Sequence, residues 1–249
     1  MTDTAVPLSL LRLPKPYVIT LGNLKGGVGK TTSAFFLAAY FAQVHDLRVL
    51  IVDADPLSQT GYAWYRLLRN AEIDVPFNLI HFPSRHIADC IADNADQYDV
   101  IIIDVGGESD AILKGAIPYS DDLIMLAGAT GADMKRIPST YKACEEATAD
   151  TEREIEVHIL MTKCPVTMKN GENVSSEYRK YRKRAEDSGY GVFQAYISNW
   201  KWYREAADGD IGDGAENPLD DLGEYKQVGD ELVARFRTNS AAAEQEVSA

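Results

Sequence analysis

The stretch YVITLGNLKGGVGKTT, Tyr17 to Thr32, decides the fold, because an apolar strand, a glycine-rich loop and a helix start follow one another there. The common phosphate-loop pattern G-x-x-x-x-G-K-[ST] fits at Gly29, Lys30 and Thr31, but Leu24 stands where its leading glycine belongs. Glycines let backbone N–H groups surround phosphate oxygens, and the following helix adds the positive end of its dipole. The stretch therefore predicts a phosphate site in which Lys30 reaches the β- and γ-phosphates and Thr31 binds Mg²⁺.

The rest of the chain continues this alternation of short β-rich runs with helical stretches. Several runs are continuously apolar, as expected for strands that helices cover on both faces. The predicted strands are YVITLG, RVLIVD, FNLIHF, DVIIIDV, DLIMLAG, EVHILMT and GVFQAYI. This order predicts an α/β fold with a doubly wound, mainly parallel sheet, flanked by helices and joined by right-handed crossovers.

Length and composition favour one domain. A chain of 249 residues that is 45% hydrophobic can bury a full core as a single α/β unit. We expect a flexible arm at residues 1–16, one P-loop domain at 17–238 and a flexible tail at 239–249. No stretch resembles a signal peptide or approaches the roughly 20 apolar residues that span a bilayer, which predicts a cytoplasmic protein without a membrane partner. The net charge of −13 argues against adhesion to nucleic acid by the whole surface, but it leaves room for a local basic face.

Acidic residues end two further predicted strands. VLIVDADP places Asp53 and Asp55 at a carboxyl end, and YDVIIIDVGG does the same with Asp104. Open α/β sheets bind ligands at this edge, and Asp104 has the usual position of a carboxylate that holds Mg²⁺ through water. Gly106 and Gly107 would let backbone amides approach a γ-phosphate. A single aspartate at a strand end is more often a turn or cap residue, but the loop and the acids in this order favour nucleotide chemistry.

The run KGGVGKTT, with its early Lys25, resembles the deviant Walker A box of the ParA/MinD family of ATPases. The resemblance implies that Lys25 crosses a dimer interface to the partner subunit's ATP, that Asp55 positions the attacking water and that Asp53 supports the Mg²⁺ site. It covers the chain from Tyr17 to about Phe236 and implies ATP and Mg²⁺ as cofactors. The nucleotide-binding residues that it predicts are Lys25, Gly26, Gly27, Val28, Gly29, Lys30, Thr31, Thr32 and Gly107, with Thr31, Asp53 and Asp104 at the metal and Asp55, Lys25 and Lys30 as the catalytic set.

Three positions depart from the partition-type members of that family. Leu57 stands where those proteins have glutamine, and Val105 and Gly106 replace two prolines. Ile197-Ser198-Asn199 replaces an Ile-Pro-Arg strand end. These changes leave the predicted ATP site intact, and they leave open how the switch segments and the DNA contacts work.

Absent motifs indicate the branch within the family. The segment DVGGESDAILKGA has no cluster-ligating cysteine, the chain has no C-x-x-C, and its end DELVARFRTNSAAAEQEVSA has too few cations and too little apolar face for a membrane helix. MTKCP has Pro165 where a guanine-recognition box has aspartate, which favours adenine. The pattern is therefore nearest to the small, Soj-like DNA-partition ATPases.

One charged helix, SSEYRKYRKRAED, is the candidate DNA-binding element. Val174, Tyr178, Tyr181 and Ala185 form one apolar stripe at helical spacing. The same spacing places Arg179, Arg182 and Lys183 on an outer face, which Lys180 and Arg184 flank. From Glu177 to Arg204 there are seven Lys/Arg against three acids, in a chain that is otherwise acidic. A solvated helix face is the alternative. The predicted DNA-binding residues are Arg179, Lys180, Arg182, Lys183, Arg184, Lys201 and Arg204.

The sequence thus predicts an ATPase that positions DNA. The resemblance implies an ATP-dependent homodimer that binds nonspecific nucleoid DNA, and a ParB-like centromere-binding partner that stimulates hydrolysis and releases it. Two alternatives stay open: a MinD- or McdA-like ATPase that positions a protein cargo, and an ATP-gated scaffold with negligible turnover.

Overall fold

The computed structural model describes residues 16–149, 155–166, 168–169, 172–173, 175–208 and 217–235. The expected tail, and the expected arm apart from Pro16, lie outside these residues, as does residue 174 before the charged helix. No helix among the described residues is both long enough and apolar enough to cross a membrane.

The sheet has seven parallel strands, which confirms the doubly wound prediction. Its spatial order is β3-β2-β4-β1-β5-β6-β9, so β1 lies near the centre, between β4 and β5. The strands are β1 Tyr17–Gly22, β2 Val49–Ala54, β3 Asn78–His81, β4 Val100–Val105, β5 Asp122–Gly128, β6 Glu156–Thr162 and β9 Gly191–Val192, while β7 Met168–Lys169 and β8 Glu172–Asn173 form a separate antiparallel pair.

Helices follow most strands and cover both faces. Their bounds are α1 Lys30–His45, α2 Thr60–Asn70, α3 Ile87–Asn94, α4 Asp110–Ala116, α5 Gly131–Met134, α6 Ile137–Thr148, α7 Ser176–Asp187, α8 Lys201–Asp208 and α9 at residues 225–235, with a 3₁₀ turn at Ile117–Tyr119. The stretch MKRIPSTYKACEEA, predicted as one helix, is divided between α5 and α6. Pro138 explains the break, because proline fits the first turn of a helix but not its interior.

The core lies on both sides of the sheet, which explains the continuously apolar strands. Alternate residues of β2 enter opposite clusters, with Ile51 on the α1 side and Leu50 on the α3 and α4 side. Helix α1 is nearly all buried: Phe35 stacks on Trp64 at 3.9 Å between ring centroids, and Phe36 stacks on Tyr225 of α9 at 5.1 Å. The helix that follows the phosphate loop is therefore held rigidly by aromatic contacts on several elements.

The last predicted strand, GVFQAYI, is shorter than expected. Only Gly191–Val192 pairs regularly with β6, although the N–H groups of Phe193 and Ile197 still donate to β6 carbonyls at 2.9 Å. Between them, the N–H groups of Gln194 and Ala195 donate to the Glu231 carboxylate of α9 at 2.9 and 3.0 Å. A side chain from α9 thus takes the donors that a longer ladder would use, and the sheet ends there.

Candidate nucleotide-binding site and basic helix

The loop between β1 and α1 has the backbone of a phosphate cradle. Gly27 and Gly29 have φ angles of +74° and +92°, which favour glycine over any residue with a side chain. A Cβ at either position would meet no atom within 4 Å, so the loop borders open space. That space is a cleft of about 560 Å³, and the predicted residues that line it are Gly26, Gly27, Gly29, Lys30, Thr31, Thr32, Asp55, Asp104 and Gly107.

Lys30 lies at the base of this cleft. It is 7% exposed, its Nζ donates to the Lys25 carbonyl at 3.0 Å, and burial lowers its pKa against the opposing effect of Asp104 and Asp55. Val28, also predicted to bind nucleotide, is buried, and its carbonyl accepts a hydrogen bond from the Thr162 hydroxyl at 2.7 Å. The loop is thereby anchored to the end of β6, and Lys30 is the cation directed at the place of the phosphates.

The candidate metal ligands meet at one edge of the sheet. Asp53 and Asp104 are paired in register on β2 and β4, and the Thr31 hydroxyl donates to the Asp104 carboxylate at 2.6 Å. Burial raises the pKa of Asp104 to about 7, and the neighbouring Asp53 and Asp55 add to the rise. A buried carboxylate that is costly to ionise, beside a hydroxyl oxygen, is a donor set that suits a hard divalent cation such as Mg²⁺.

Asp53 lies beneath the cleft rather than at its surface. Its carboxylate accepts the N–H groups of Tyr62 at 2.9 Å and of Asp55 at 3.2 Å, and burial raises its pKa. A Cβ at Gly61 would lie 3.1 Å from Asp53 Oδ2, so the first turn of α2 packs closely on this carboxylate. Asp53 therefore links β2 to α2 directly, and it does not line the cleft.

Asp55 does line the cleft, and its own loop holds it. Oδ1 accepts the N–H groups of Leu57 at 2.9 Å and Ser58 at 3.3 Å, while Oδ2 accepts the Ser58 hydroxyl at 2.6 Å. Partial burial raises the pKa of Asp55, but these hydrogen bonds outweigh it and hold the pKa below its usual value. The Asp55 carboxylate is thus kept ionised at the wall of the cleft.

The glycines after β4 allow two close approaches. A Cβ at Gly107 would lie 2.4 Å from the Gly26 nitrogen and 2.6 Å from the Lys25 carbonyl carbon, distances that no real side chain allows. A Cβ at Gly106 would lie 2.8 Å from the Asp55 carboxylate. The segment after β4 therefore touches the phosphate loop and Asp55.

Lys25 does not line the cleft of its own chain. Its ammonium group pairs with the carboxylate of Asp133, the third residue of α5. The Thr130 hydroxyl donates to that carboxylate at 2.8 Å, and Asp133 is 8% exposed. Sequence reasoning missed Asp133, although Thr130 three residues before it is the pattern of a helix cap.

A second cleft of about 270 Å³ shares Gly29, Thr32 and Lys163 with the phosphate cleft. Trp200, Tyr203 and Tyr225 supply aromatic walls, which suit a nucleobase next to the phosphates. Glu224 holds one wall, because it accepts the Ser198 N–H at 2.9 Å and the Trp200 indole N–H at 3.3 Å. The sequence analysis did not identify this cleft. Its one local signal is the MTKCP stretch, from which adenine was preferred over guanine and which contains the cleft residue Lys163, with a φ of +49°.

The prediction that Arg182 lies on the outer face of α7 is wrong. Its side chain is 15% exposed and its guanidinium donates to the Tyr178 hydroxyl at 2.6 Å and to the carbonyls of Phe193 and Gln194 at 3.2 and 3.3 Å. Glu186 accepts from its Nε at 2.9 Å. Arg182 thus ties α7 to the segment after β9, because a long side chain beside the apolar stripe can reach the carbonyls of that segment.

The other cations of the charged helix are exposed. Lys183 pairs with Asp187 at 3.0 Å, and Lys201 of α8 pairs with Glu205. Three exposed cations have no carboxylate partner among the described residues: Arg179, Lys180 and Arg184. Arg204 lies within α8, but its side chain is outside the described part of the chain.

The class of protein follows from this arrangement. A glycine loop between the first strand and first helix of a parallel sheet, with acids at adjacent strand ends, defines a P-loop nucleotide-binding protein. Residues 17–94 match the AAA_31 family, described as an AAA domain, and the predicted resemblance to the ParA/MinD-like ATPases is confirmed.

Two relatives are similar to this chain over different lengths. Maintenance of carboxysome distribution protein A from Gloeobacter kilaueensis is 28% identical over 194 residues, which are 77% of this chain and 81% of that protein. The chromosome-partitioning ATPase Soj from Thermus thermophilus is 63% identical over 38 residues, 15% of either chain. The first match extends over most of both proteins, while the second is confined to a short segment.

Solved structures share the fold. A plasmid partition protein from Borrelia burgdorferi B31 bound to AMPPNP has a TM-score of 0.63 at 17% identity, over 89% of this chain and all of that one. Cobyrinic acid a,c-diamide synthase from Mycobacterium smegmatis, with an ATP analogue and magnesium, has a TM-score of 0.67 at 16% identity, over 90% of this chain and 97% of that one. At these identities the likeness establishes the P-loop fold.

Proposed function

We propose that this protein is a Mg²⁺-dependent ATPase of the ParA type that forms an ATP-dependent homodimer and positions a cargo on DNA. One observation carries the proposal: of the two lysines in the phosphate loop, Lys30 is buried in the cleft of its own chain, whereas Lys25 is outside it. A lysine that lies beside the phosphate cleft without entering it can contact the phosphates of a nucleotide bound to a second copy of this chain.

The cleft residues have separable roles in this proposal. The loop amides, Lys30 and Thr32 hold the phosphates, and the aromatic cleft next to them accepts the adenine base. Thr31 and Asp104 would hold Mg²⁺, which would supply positive charge next to the phosphates. Asp55, ionised at the cleft wall, orients the attacking water.

The dimer would bring two basic faces to one DNA molecule. Arg179, Lys180 and Arg184 are exposed cations on α7, and duplication by a twofold axis doubles the number of phosphate contacts. Binding of this kind depends on charge rather than on sequence, as expected for a protein that moves over nucleoid DNA. A centromere-binding partner of the ParB kind would then stimulate hydrolysis and release the dimer.

A protein cargo is the second candidate, and a specific observation favours it. One relative, which matches 77% of the chain, is a carboxysome distribution protein, whereas the Soj match spans 38 residues. The same ATP-dependent attachment to DNA serves either cargo, so the two candidates differ in the partner and not in the nucleotide site.

Co-sedimentation tests the shared part of the proposal. The protein is mixed with nonspecific duplex DNA and Mg²⁺ in the presence of ATP, of ADP or of no nucleotide. We expect DNA to retain the protein with ATP alone, and protein that binds equally with ADP would contradict the proposal. Hydrolysis of ATP, measured as phosphate release with and without DNA, separates an ATPase from an ATP-gated scaffold.

A further inference from the structure

The segment from Asp55 to Ser58 and the segment after β4 meet at the Asp55 carboxylate. Both places depart from the pattern of the partition-type ATPases, since Leu57 replaces a glutamine and Val105-Gly106 replaces two prolines. We infer that Ser58 and Gly106 are positioning residues for hydrolysis, which together set the orientation of the Asp55 carboxylate. The inference rests on the proposed function, because it assumes that Asp55 orients water for ATP hydrolysis.

Ser58 determines which carboxylate oxygen of Asp55 can still accept a hydrogen bond from water. An ionised carboxylate can accept about four hydrogen bonds. The N–H groups of Leu57 and Ser58 occupy Oδ1, and the Ser58 hydroxyl, at 2.6 Å, occupies one position on Oδ2. One position on Oδ2 is then left for water in the cleft, which both Asp55 and Ser58 line.

Gly106 leaves the room that this orientation requires. A Cβ at position 106 would lie 2.8 Å from both Cγ and Oδ1 of Asp55 and 2.9 Å from the Ser109 hydroxyl oxygen. Ser109 is itself buried and precedes the first residue of α4, so it cannot move away freely. Any side chain at 106 would therefore displace the carboxylate, and a proline would do so as well.

The two contacts act on the same carboxylate. Ser58 holds Asp55 from within its own loop, whereas Gly106 brings the segment after β4 against it. Neither residue has a charged side chain that could bind a triphosphate. Substitution of Ser58 or Gly106 should therefore alter the rate of hydrolysis more than the affinity for the nucleotide. Displacement of a reacting group by about 1 Å can cost about a hundredfold in rate.

The test separates affinity from turnover. ATP affinity is measured by equilibrium titration and hydrolysis by phosphate release in single-turnover conditions, for wild type, Ser58→Ala, Ser58→Thr, Gly106→Ala and Asp55→Ala. We expect Ser58→Ala and Gly106→Ala to lower the rate about 10- to 100-fold with ATP affinity within about twofold of wild type. Ser58→Thr, which keeps a hydroxyl, should restore most of the rate, and Ser139→Ala, at an exposed serine of α6, is the control.

A double variant gives the sharper result. If Ser58 acts only through Asp55, Ser58→Ala should cause no further loss when Asp55 is already alanine. Wild-type rates in Ser58→Ala and Gly106→Ala, with Asp55→Ala inactive, would overturn this inference and leave the proposed function standing. Wild-type hydrolysis in Asp55→Ala would instead overturn the proposed role of Asp55, and the inference with it.

Discussion

Lys25 and Asp133 are 108 residues apart in the chain, and their side chains form an ion pair beside the phosphate loop. The Lys25 side chain is about one-third exposed, whereas the Asp133 carboxylate is nearly buried. The lysine that the proposed mechanism directs to a partner subunit is thus held by its own chain. Its transfer to a phosphate would leave Asp133 without its cation, which makes the pair a test of the dimer hypothesis.

Substitution of the two lysines of the loop should have different effects. Lys30→Ala should lose ATP binding, because Lys30 is the buried cation of the cleft. Lys25→Ala should still bind ATP but lose the ATP-dependent dimer. The variant dimer would lack two charge-assisted contacts of about 1.5–3 kcal/mol each. Its association constant should therefore fall at least a hundredfold. Equilibrium titration and analytical ultracentrifugation measure the two effects, and a Lys25→Ala dimer as tight as wild type would contradict the bridging role.

Asp133→Asn should strengthen the dimer. The amide keeps an acceptor for the Thr130 hydroxyl but removes the charge that holds Lys25. A partly exposed ion pair contributes about 0.5 kcal/mol, so two of them per dimer predict roughly fivefold tighter association in ATP. Ultracentrifugation with ATP and Mg²⁺ measures it. The double variant with Lys25→Ala is the control, since it should show no gain.

The exposed face of α7 should carry the DNA contacts. Reversal of Arg179, Lys180 and Arg184 to glutamate should abolish DNA binding in ATP while dimerisation is retained. Each lost phosphate contact lowers the salt dependence of binding by about one unit. A matched control reverses three exposed arginines elsewhere, Arg66, Arg69 and Arg85, with the same change in net charge. Equal loss in both triple variants, measured across a salt series, would mean that general charge and not this face binds DNA.

Arg182 should matter for stability instead. Arg182→Ala removes the donation to the Tyr178 hydroxyl and to the Phe193 carbonyl, and it removes one of two donors to the Gln194 carbonyl. Partly buried acceptors left without a donor cost about 1–3 kcal/mol. Urea unfolding of this variant should show a loss in that range, whereas Lys183→Ala, at an exposed ion pair of the same helix, should change stability by less than about 1 kcal/mol. Comparable losses in the two variants would contradict the packed role of Arg182.

Stability should also depend on pH through Asp122 at the start of β5. Burial raises the pKa of Asp122 to about 6, although a hydrogen bond from the Tyr17 hydroxyl opposes the rise. Because the folded pKa exceeds the unfolded value, the native state binds more protons, and stability is lost as pH rises towards and through 6.

Between pH 5 and pH 7.5 the wild type should therefore lose about 1 kcal/mol relative to Asp122→Asn, which cannot ionise. Urea unfolding of both proteins at the two pH values measures this difference. The exposed Asp220→Asn serves as the control and should follow the wild type. A difference between wild type and Asp122→Asn that is independent of pH would show that Asp122 does not titrate in this range.

Local sequence patterns were sufficient to predict those features of the structure that depend on residues close together in the chain. Strands β1, β5 and β6 have the bounds that the apolar runs predict. Helices cover the sheet on both faces, so β1 and β5 are buried at every position and β6 is buried at its last four. The glycines of the phosphate loop were predictable for a similar reason: Gly27 and Gly29 have left-handed backbone that disfavours other residues. The acids at the ends of β2 and β4 followed from the rule that parallel strands end at a common edge.

Only the tertiary structure decided which side chains meet across the chain. Helical spacing placed Arg182 on an outer face, but the carbonyls after β9 and the Tyr178 hydroxyl draw its guanidinium inward. The pairing of Lys25 with Asp133 and the contact of Gly106 with Asp55 have no local signal, since each joins segments about 50 to 110 residues apart. Periodicity reports the direction of a side chain from its own element, whereas its partner depends on how separate elements pack against one another.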